Sequence, residues 1–159
     1  MELIIRAGIL CELDEIQNLF SETITFVCHN DYNQNQIEAW KSSVENLERW
    51  QNLIQNQYFI VAELNNKIVG FASLDKGNYV DVLFVHKDFQ RMGIAQKLFD
   101  KLENEAKRLK SFVLFSDVSK TAKAFFESNG FKVLLEQLQI RKNVEIVNYK
   151  MQKQLSTND

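Results

Sequence analysis

The run from Tyr79 to Ala106 constrains the fold of this chain more than any other stretch. Tyr79-Val80-Asp81-Val82-Leu83-Phe84-Val85 reads as a strand, rich in β-branched and aromatic residues with a single carboxylate among them. The chain then turns through His86, Lys87, Asp88 and Phe89 and reads Gln90-Arg91-Met92-Gly93-Ile94-Ala95. It continues as a helix, with Ile94, Leu98, Leu102 and Ala106 four apart on one face. A strand feeding a helix through a glycine turn is suited to holding phosphates. The first N–H groups of a helix have no acceptor within it, and the helix dipole adds partial positive charge there. Gly93 has no Cβ, so a diphosphate can approach the main chain closely. Arg91 and Lys97 add charge nearby. The same six residues also describe an ordinary strand–turn–helix with a glycine in its first turn. Two common phosphate loops are excluded, because neither the Gly-Lys-Ser/Thr ending of nucleoside triphosphate loops nor the three glycines of the dinucleotide fingerprint is present.

The length of 159 residues suffices for one domain with a real core, expected over residues 1–155 with a frayed tail at 156–159. At 45% hydrophobic and 25% charged residues the chain has an ordinary globular composition, and no apolar run reaches membrane-spanning length. Its first residues are too short an apolar stretch, and charged too early, for a signal peptide. Cys11 and Cys28 make no disulfide framework, so both are expected reduced and the protein cytoplasmic. A formal net charge of −2 argues against a general nucleic-acid binder. Residues 1–60 hold three Lys/Arg against nine Asp/Glu, whereas residues 87–123 hold nine against five. The basic segment around the glycine turn fits an anionic cofactor, and the acidic one suits a cationic substrate such as an amine. Equally, these are the charged outer faces that any set of surface helices carries.

Leu3 to Ala7 reads as a strand, and a helix follows from about Glu12 to Val27. Cys28 to Asn33 breaks the pattern as a loop, and a short helical piece carries Ile37 and Trp40. Ser42-x-x-Glu45 reads as a capping box for a helix that buries Val44, Leu47, Trp50 and Ile54. Tyr58–Leu64 and Ile68–Leu74 are strands joined by an Asn65-Asn66 hairpin turn, giving three antiparallel strands that end on the central one. Phe112 to Phe115 is a short apolar strand suited to a buried place beside the central strand. Ser119 caps a helix running to Asn129, with Gly130 ending it, and Phe131–Ile140 and Glu145–Met151 form a last hairpin across Lys142-Asn143.

This order of elements resembles the GNAT superfamily of N-acetyltransferases. Leu83-Phe84-Val85, then Gln90-Arg91-Met92-Gly93-Ile94-Ala95, is similar to that family's acetyl-CoA pyrophosphate motif, Q/R-x-x-G-x-G/A. Ser119-x-x-Ala122-x-x-Phe125-Phe126-x-x-x-Gly130-Phe131 is similar to its second cofactor block, and Asn148-Tyr149-Lys150-Met151-x-Lys153 to its closing strand. Thr23-Ile24, Asp31-Tyr32, Gln36-Ile37-x-Ala39-Trp40 and Tyr79-Val80-Asp81 resemble the YafP-like branch of these acetyltransferases. The resemblance implies an α/β (α+β) fold, a single domain with a central mixed, mostly antiparallel sheet flanked by helices. It implies acetyl-CoA (coenzyme A) as cosubstrate, bound by Leu83, Phe84, Val85, the run from Gln90 through Arg91, Met92, Gly93, Ile94 and Ala95 to Gln96, and by Ser119 and Phe126. It implies transfer to an amine of a small molecule or peptide by a monomer or homodimer, without nucleic acid or membrane. Lys87 stands where many relatives have proline, Ser119 where many have asparagine, and Phe126 where many have the tyrosine that protonates the leaving thiolate. Phenylalanine donates no proton, so a second reading stays open: an acyl-CoA-binding sensor or interaction module with the same fold.

The chemistry that the resemblance implies has three tasks, none needing a metal: holding the cofactor, polarising the thioester carbonyl through a backbone N–H near Val85, and moving protons. Asp81 is the best-placed base, the only carboxylate within an apolar strand, and burial is expected to raise its pKa. Strand alternation puts it on one face with Tyr79, Leu83 and Val85. A structural aspartate held by an arginine or by the main chain explains the same residue equally well. Tyr79 is a candidate proton donor or a packing residue at a sheet edge. Cys28-His29 is a weak nucleophile–base pair, because adjacent side chains point apart and no orienting carboxylate stands nearby. Tyr32 and Trp40 are the candidate acceptor-binding residues, whereas Trp50 falls on an apolar helical stripe.

Overall fold

A computed structural model describes residues 2–156. Strand β1 (Leu3–Ala7) leads into α1 (Leu13–Val27), α2 (Gln34–Lys41) and α3 (Leu47–Asn56). Strands β2 (Tyr58–Leu64), β3 (Lys67–Asp75) and β4 (Tyr79–Val85) follow, then α4 (Ile94–Arg108), β5 (Val113–Ser119), α5 (Lys123–Ser128), β6 (Lys132–Arg141) and β7 (Val144–Gln154). They form one seven-stranded sheet in the order β1-β2-β3-β4-β5-β7-β6, antiparallel except where β4 meets β5. The meander from β2 to β4 turns first at Asn65-Asn66, whose φ angles of 53° and 64° are those a two-residue hairpin of matching twist requires. The last hairpin turns the same way at Lys142-Asn143, with φ of 51° and 63°.

Each face of the sheet buries its own core. On one face lies α4, whose Ile94, Leu98, Phe99, Leu102 and Ala106 are buried against Val69, Ala72, Val80, Leu114 and Met151. Gly70 permits the close approach: a Cβ there would stand 3.0 Å from Leu98 Cδ1 and 3.2 Å from both Ile94 Cγ2 and the Phe84 carbonyl oxygen. On the other face α1, α2 and α3 bury Ile16, Phe20, Ile24, Ile37, Trp50 and Leu53 against Phe59, Phe71 and Val82. Phe20, Trp50, Phe71 and Phe84 meet there as a chain of aromatic contacts with centroids 5.0–6.2 Å apart.

Several local expectations are corrected. Ser42–Glu45 is a separate 3-10 turn; α3 is capped by Asn46, whose side chain accepts from the Arg49 N–H at 3.1 Å. Strand β5 is longer than Phe112–Phe115 and alternates, burying Leu114, Ser116 and Val118 while Phe112 stays exposed outside it. The helix after Ser119 begins only at Lys123, and Ser119 Oγ accepts from the Ala122 N–H of the turn before it. Leu155 is buried and donates its N–H to the Phe112 carbonyl; of the expected tail, 157–159 lie outside the described residues.

The largest correction concerns the central strand. Ser73 pairs with Val82 and Leu74 with Val80, so Asp81 is the extra residue of a β-bulge. A bulge resets the side-chain alternation. Val80, Leu83 and Val85 therefore face the α4 core, while Val82 and Phe84 face the α1–α3 core. Tyr79, Asp81, Leu83 and Val85 do not share one face.

Candidate active site

The bulged strand also ends its partnership early. β4 and β5 pair only at Tyr79–Phe115 and Val80–Ser116. Beyond Val80 the two strands part, and the gap is lined by Leu83 and Phe84 on one side and Ser119 and Ala122 on the other. A cavity opens at each end of it, and Trp40, Leu83, Phe84, Ser119 and Ala122 border both.

The first cavity, about 330 Å³, lies over the start of α4. Gln90 turns its side chain back and donates to the Val85 carbonyl (2.7 Å), which also accepts from Thr23 Oγ1 (2.9 Å). These bonds fix the end of β4. The His86 N–H donates to Val69 O on β3 at 2.8 Å. By the two-residue alternation of a strand, the Val85 N–H therefore turns away from β3, towards the gap. Arg91 (φ 60°) and Gly93 (φ 81°) both take left-handed backbone, which wraps the loop so that its amides converge at the helix start. No side chain caps α4. A Cβ built on Gly93 would meet nothing within 4 Å, so the space before the free amides is open. An open helix start with converging amides has the donors and the space that a diphosphate requires.

Of the residues expected at the cofactor, Leu83, Phe84, Val85, Gln90, Arg91, Gly93, Ile94, Ala95, Gln96 and Ser119 line this cavity. Met92 is exposed outside it, and Phe126 lines the second cavity instead. Gln96 is already engaged, exchanging hydrogen bonds with Asn129 at 2.8 and 3.1 Å and donating to Asp100. Cys28 also borders the cavity, and burial pushes its thiol above its ordinary pKa, unlike an activated nucleophile. His29 Nδ1 donates to the Phe26 carbonyl, 3.1 Å away.

The second cavity, about 230 Å³, lies under α2 and α3 and over the polar ends of β5, β7 and β6. Tyr32, Trp40, Tyr79 and Asp81 all line it. Asp81 is held on both oxygens: Arg49 Nη1 and Nη2 donate at 2.9 and 2.7 Å, and Gln57 Nε2 donates at 2.7 Å. Burial alone would push this carboxyl up, but the Arg49 guanidinium and the Gln57 amide together hold it below the ordinary aspartate range. The expectation of a raised pKa is thus reversed. Tyr79 donates to Asp117 at 2.6 Å, and burial together with that carboxylate pushes its phenol well up. Tyr32 donates to the Val147 carbonyl at 2.7 Å and accepts from the Lys120 N–H at 2.9 Å; burial pushes its phenol up to about 12.

Matching this architecture against known proteins, the model of the acetyltransferase (GNAT) domain fits residues 28–153. The chain belongs to the GNAT family of acetyltransferases. Its relative YafP of Escherichia coli (strain K12), an uncharacterized N-acetyltransferase, is 31% identical over 126 residues, 79% of each chain. A GCN5-related N-acetyltransferase of Rhodopseudomonas palustris is 26% identical and superposes with a TM-score of 0.93 over 98% of this chain and 97% of its own. PaiA N-acetyltransferase from Thermoplasma acidophilum, solved in complex with coenzyme A, shares the fold at 18% identity and a TM-score of 0.78, over 98% of this chain and all (100%) of its own. Within this GNAT fold the residues missed by sequence reasoning are Arg49, Gln57, Asp117, Arg141 and Asn148, all but Gln57 bordering the second cavity. Asn148 stands out in sequence only as part of the closing-strand motif, and nothing local marks the other four: they come from α3 and its end, β5 and β6, and only the tertiary fold gathers them.

Proposed function

We propose that this GNAT protein transfers an acetyl group directly from acetyl-CoA to an amine of a small molecule or peptide. The observation that carries this reading is the gap between β4 and β5, which joins a cavity with a diphosphate cradle to a cavity with fixed polar side chains. Acetyl-CoA, when bound, supplies an activated acetyl thioester. The amides from Arg91 to Ala95 hold its diphosphate, and the Val85 N–H, turned into the gap, stabilises negative charge on the carbonyl oxygen.

In this reading Asp81 is the proton acceptor, acting from a depressed pKa. It is ionised at every pH above the ordinary aspartate range, so its own titration leaves no inflection in the rate near neutrality. Three of its roughly four acceptor positions are taken by Arg49 and Gln57, and the remaining one receives the proton through water. Tyr79, with its raised pKa, stays protonated and holds Asp117. Two donors at the junction of the cavities take the place of the proton that Phe126 lacks. Ser119 Oγ accepts from the Ala122 N–H at 3.1 Å and keeps its own proton free, and the Trp40 indole N–H has no acceptor among the described residues. Both suit hydrogen bonding to a departing sulfur.

Phe126 favours a second reading, a sensor that binds acyl-CoA without turnover, because it is packed among Phe99, Phe125 and Phe131 at 5.0–6.3 Å and carries no proton. An acetyl-CoA turnover screen over a panel of amines, reading free-thiol release, separates the two. Amine-dependent release supports the transferase; tight acetyl-CoA binding with no release from any amine supports the sensor.

A further inference from the structure

The reading of the second cavity as the acceptor site leaves open what kind of amine it takes, and the charges that line it bear on that. None of the nine carboxylates of residues 1–60 borders this cavity. Several are spent elsewhere: Glu12 on Arg6, Glu15 on the Ile68 N–H, Asp31 on Thr121 and Glu45 on Lys142. The acidic N-terminal segment therefore gives the site no negative charge. Its charged lining is Arg49, Arg141, Asp81 and Asp117, two of each sign.

These four are not equally available. Asp81 is neutralised by the bidentate Arg49. Asp117 accepts from the Tyr79 hydroxyl at 2.6 Å and from Gln137 Nε2 at 2.5 Å. Arg141, exposed at the cavity's rim, has no ion-pair or hydrogen-bond partner among the described residues. Register explains its place. Ser119 pairs with Asn148, Asn148 with Gln137, Ile146 with Gln139 and Val144 with Arg141, so Gln137, Gln139 and Arg141 alternate onto the cavity side of the edge strand. On the neighbouring strand, Asn148 Oδ1 is buried without a hydrogen-bond partner among the described residues. The cavity thus offers an unmatched guanidinium at its rim and, four residues along the hairpin, an unmatched amide oxygen, which suit an anion and an N–H group at separate points of one extended ligand. A guanidinium is matched best by a planar carboxylate, to which it donates two parallel bonds.

We propose that the acceptor is an amino carboxylate with its two ends far apart, an ω-amino acid or short peptide whose carboxylate is bound by Arg141 while its amine reaches the gap at Phe84. This rests on the acetyltransferase reading above. Arg141 stands on β6, two strands beyond β5, roughly 10 Å across the sheet, and four residues along β6 from Gln137, which lies across from Ser119, roughly 13 Å more. The carboxylate and the reacting amine are therefore separated by several bonds.

The test uses matched pairs, ω-amino acids of increasing length and short peptides, each beside its carboxamide or decarboxylated analogue. Wild type should favour the carboxylate member by at least about tenfold in kcat/KM. Arg141→Gln should raise KM for the carboxylates about tenfold, leave kcat and the carboxamides unchanged, and leave acetyl-CoA affinity unchanged; Arg141→Lys should recover part of the loss. Thermal-shift titration of the acetyl-CoA-saturated protein with the same pairs reads binding independently of turnover. Analogues that perform as well as the carboxylates, or an Arg141→Gln protein that behaves as wild type, would overturn the assignment. So would the absence of any carboxylate-dependent shift in wild type. Failure of acetyl-CoA itself to bind would instead overturn the acetyltransferase reading.

Discussion

The two cavities on either side of the β4–β5 gap are built on different principles. The proposed cofactor cavity takes most of its wall from one continuous stretch, Leu83 to Gln96, and its polar groups are main-chain amides set by two left-handed residues. The proposed acceptor cavity takes its wall from α2, α3, β4, β5, β6 and β7, and its polar groups are side chains that hold one another. A site made of backbone depends on the path of the chain and tolerates side-chain change. A site made of paired side chains tolerates little, because removing one partner leaves the other buried and unmatched.

The contrast can be broken most sharply at Asp81. Asp81→Asn keeps the shape and removes the charge, and we expect turnover at neutral pH to fall about a hundredfold, the low end of general-base contributions, since the carboxylate is a weak base here. Acetyl-CoA affinity, measured by calorimetry, should stay within about twofold. Wild-type turnover in the variant would assign Asp81 a purely structural role. On the other side of the gap, Gly93→Asp has space for its side chain in the protein, with some strain from its left-handed backbone (φ 81°), but not beside a diphosphate. Its acetyl-CoA affinity should fall at least about tenfold, roughly 1.4 kcal/mol, whereas Arg91→Ala should cost no more than about threefold; a reversed order would mean that side chains, not amides, build this cavity.

Smaller effects sharpen the electrostatics. With Asp81 held below the ordinary aspartate range, the wild-type rate should show no inflection from it between about pH 5 and 8. Arg49→Met removes the main counter-charge and leaves burial to act, so an acidic limb should move up towards neutrality in the pH–rate profile. The same pairing has a sign in stability: a depressed folded pKa contributes stability above the unfolded value, about pH 4, and loses it as the pH falls further. Thermal melts of Asp81→Asn should therefore lie below wild type at pH 7, and the difference should shrink as the pH falls below about 4. Phe126→Tyr, at a buried position facing the acceptor cavity, should change turnover by no more than about threefold if Ser119 and Trp40 already serve the leaving sulfur. A gain of tenfold or more would show that the missing hydroxyl matters.

What could be read in the chain before its fold follows from the same contrast. The Gln90–Ala95 loop, the hairpins at Asn65-Asn66 and Lys142-Asn143 and the amphipathic α4 are local features, and local spacing announced them. The bulge at Asp81 was not legible, because it depends on how β4 registers against Ser73 and Leu74 on β3. Arg49 reads in sequence as one more surface charge on α3. Its meaning appears only when α3 packs over the bulge and brings its guanidinium to Asp81, 32 residues further along the chain. The acidic bias of the first 60 residues suggested a cationic acceptor, yet those carboxylates point elsewhere, since net charge along a sequence says little about which groups a fold turns inward.

The most direct test of the account is a crystal structure with coenzyme A bound. We expect the diphosphate within hydrogen-bond distance of the amides between Arg91 and Ala95, and the thiol end in the gap bounded by Leu83, Phe84 and Ser119, with β4 and β5 unpaired beyond Val80. A ligand bound elsewhere, or strands zipped together past Val80 so that the two cavities are closed from one another, would contradict it.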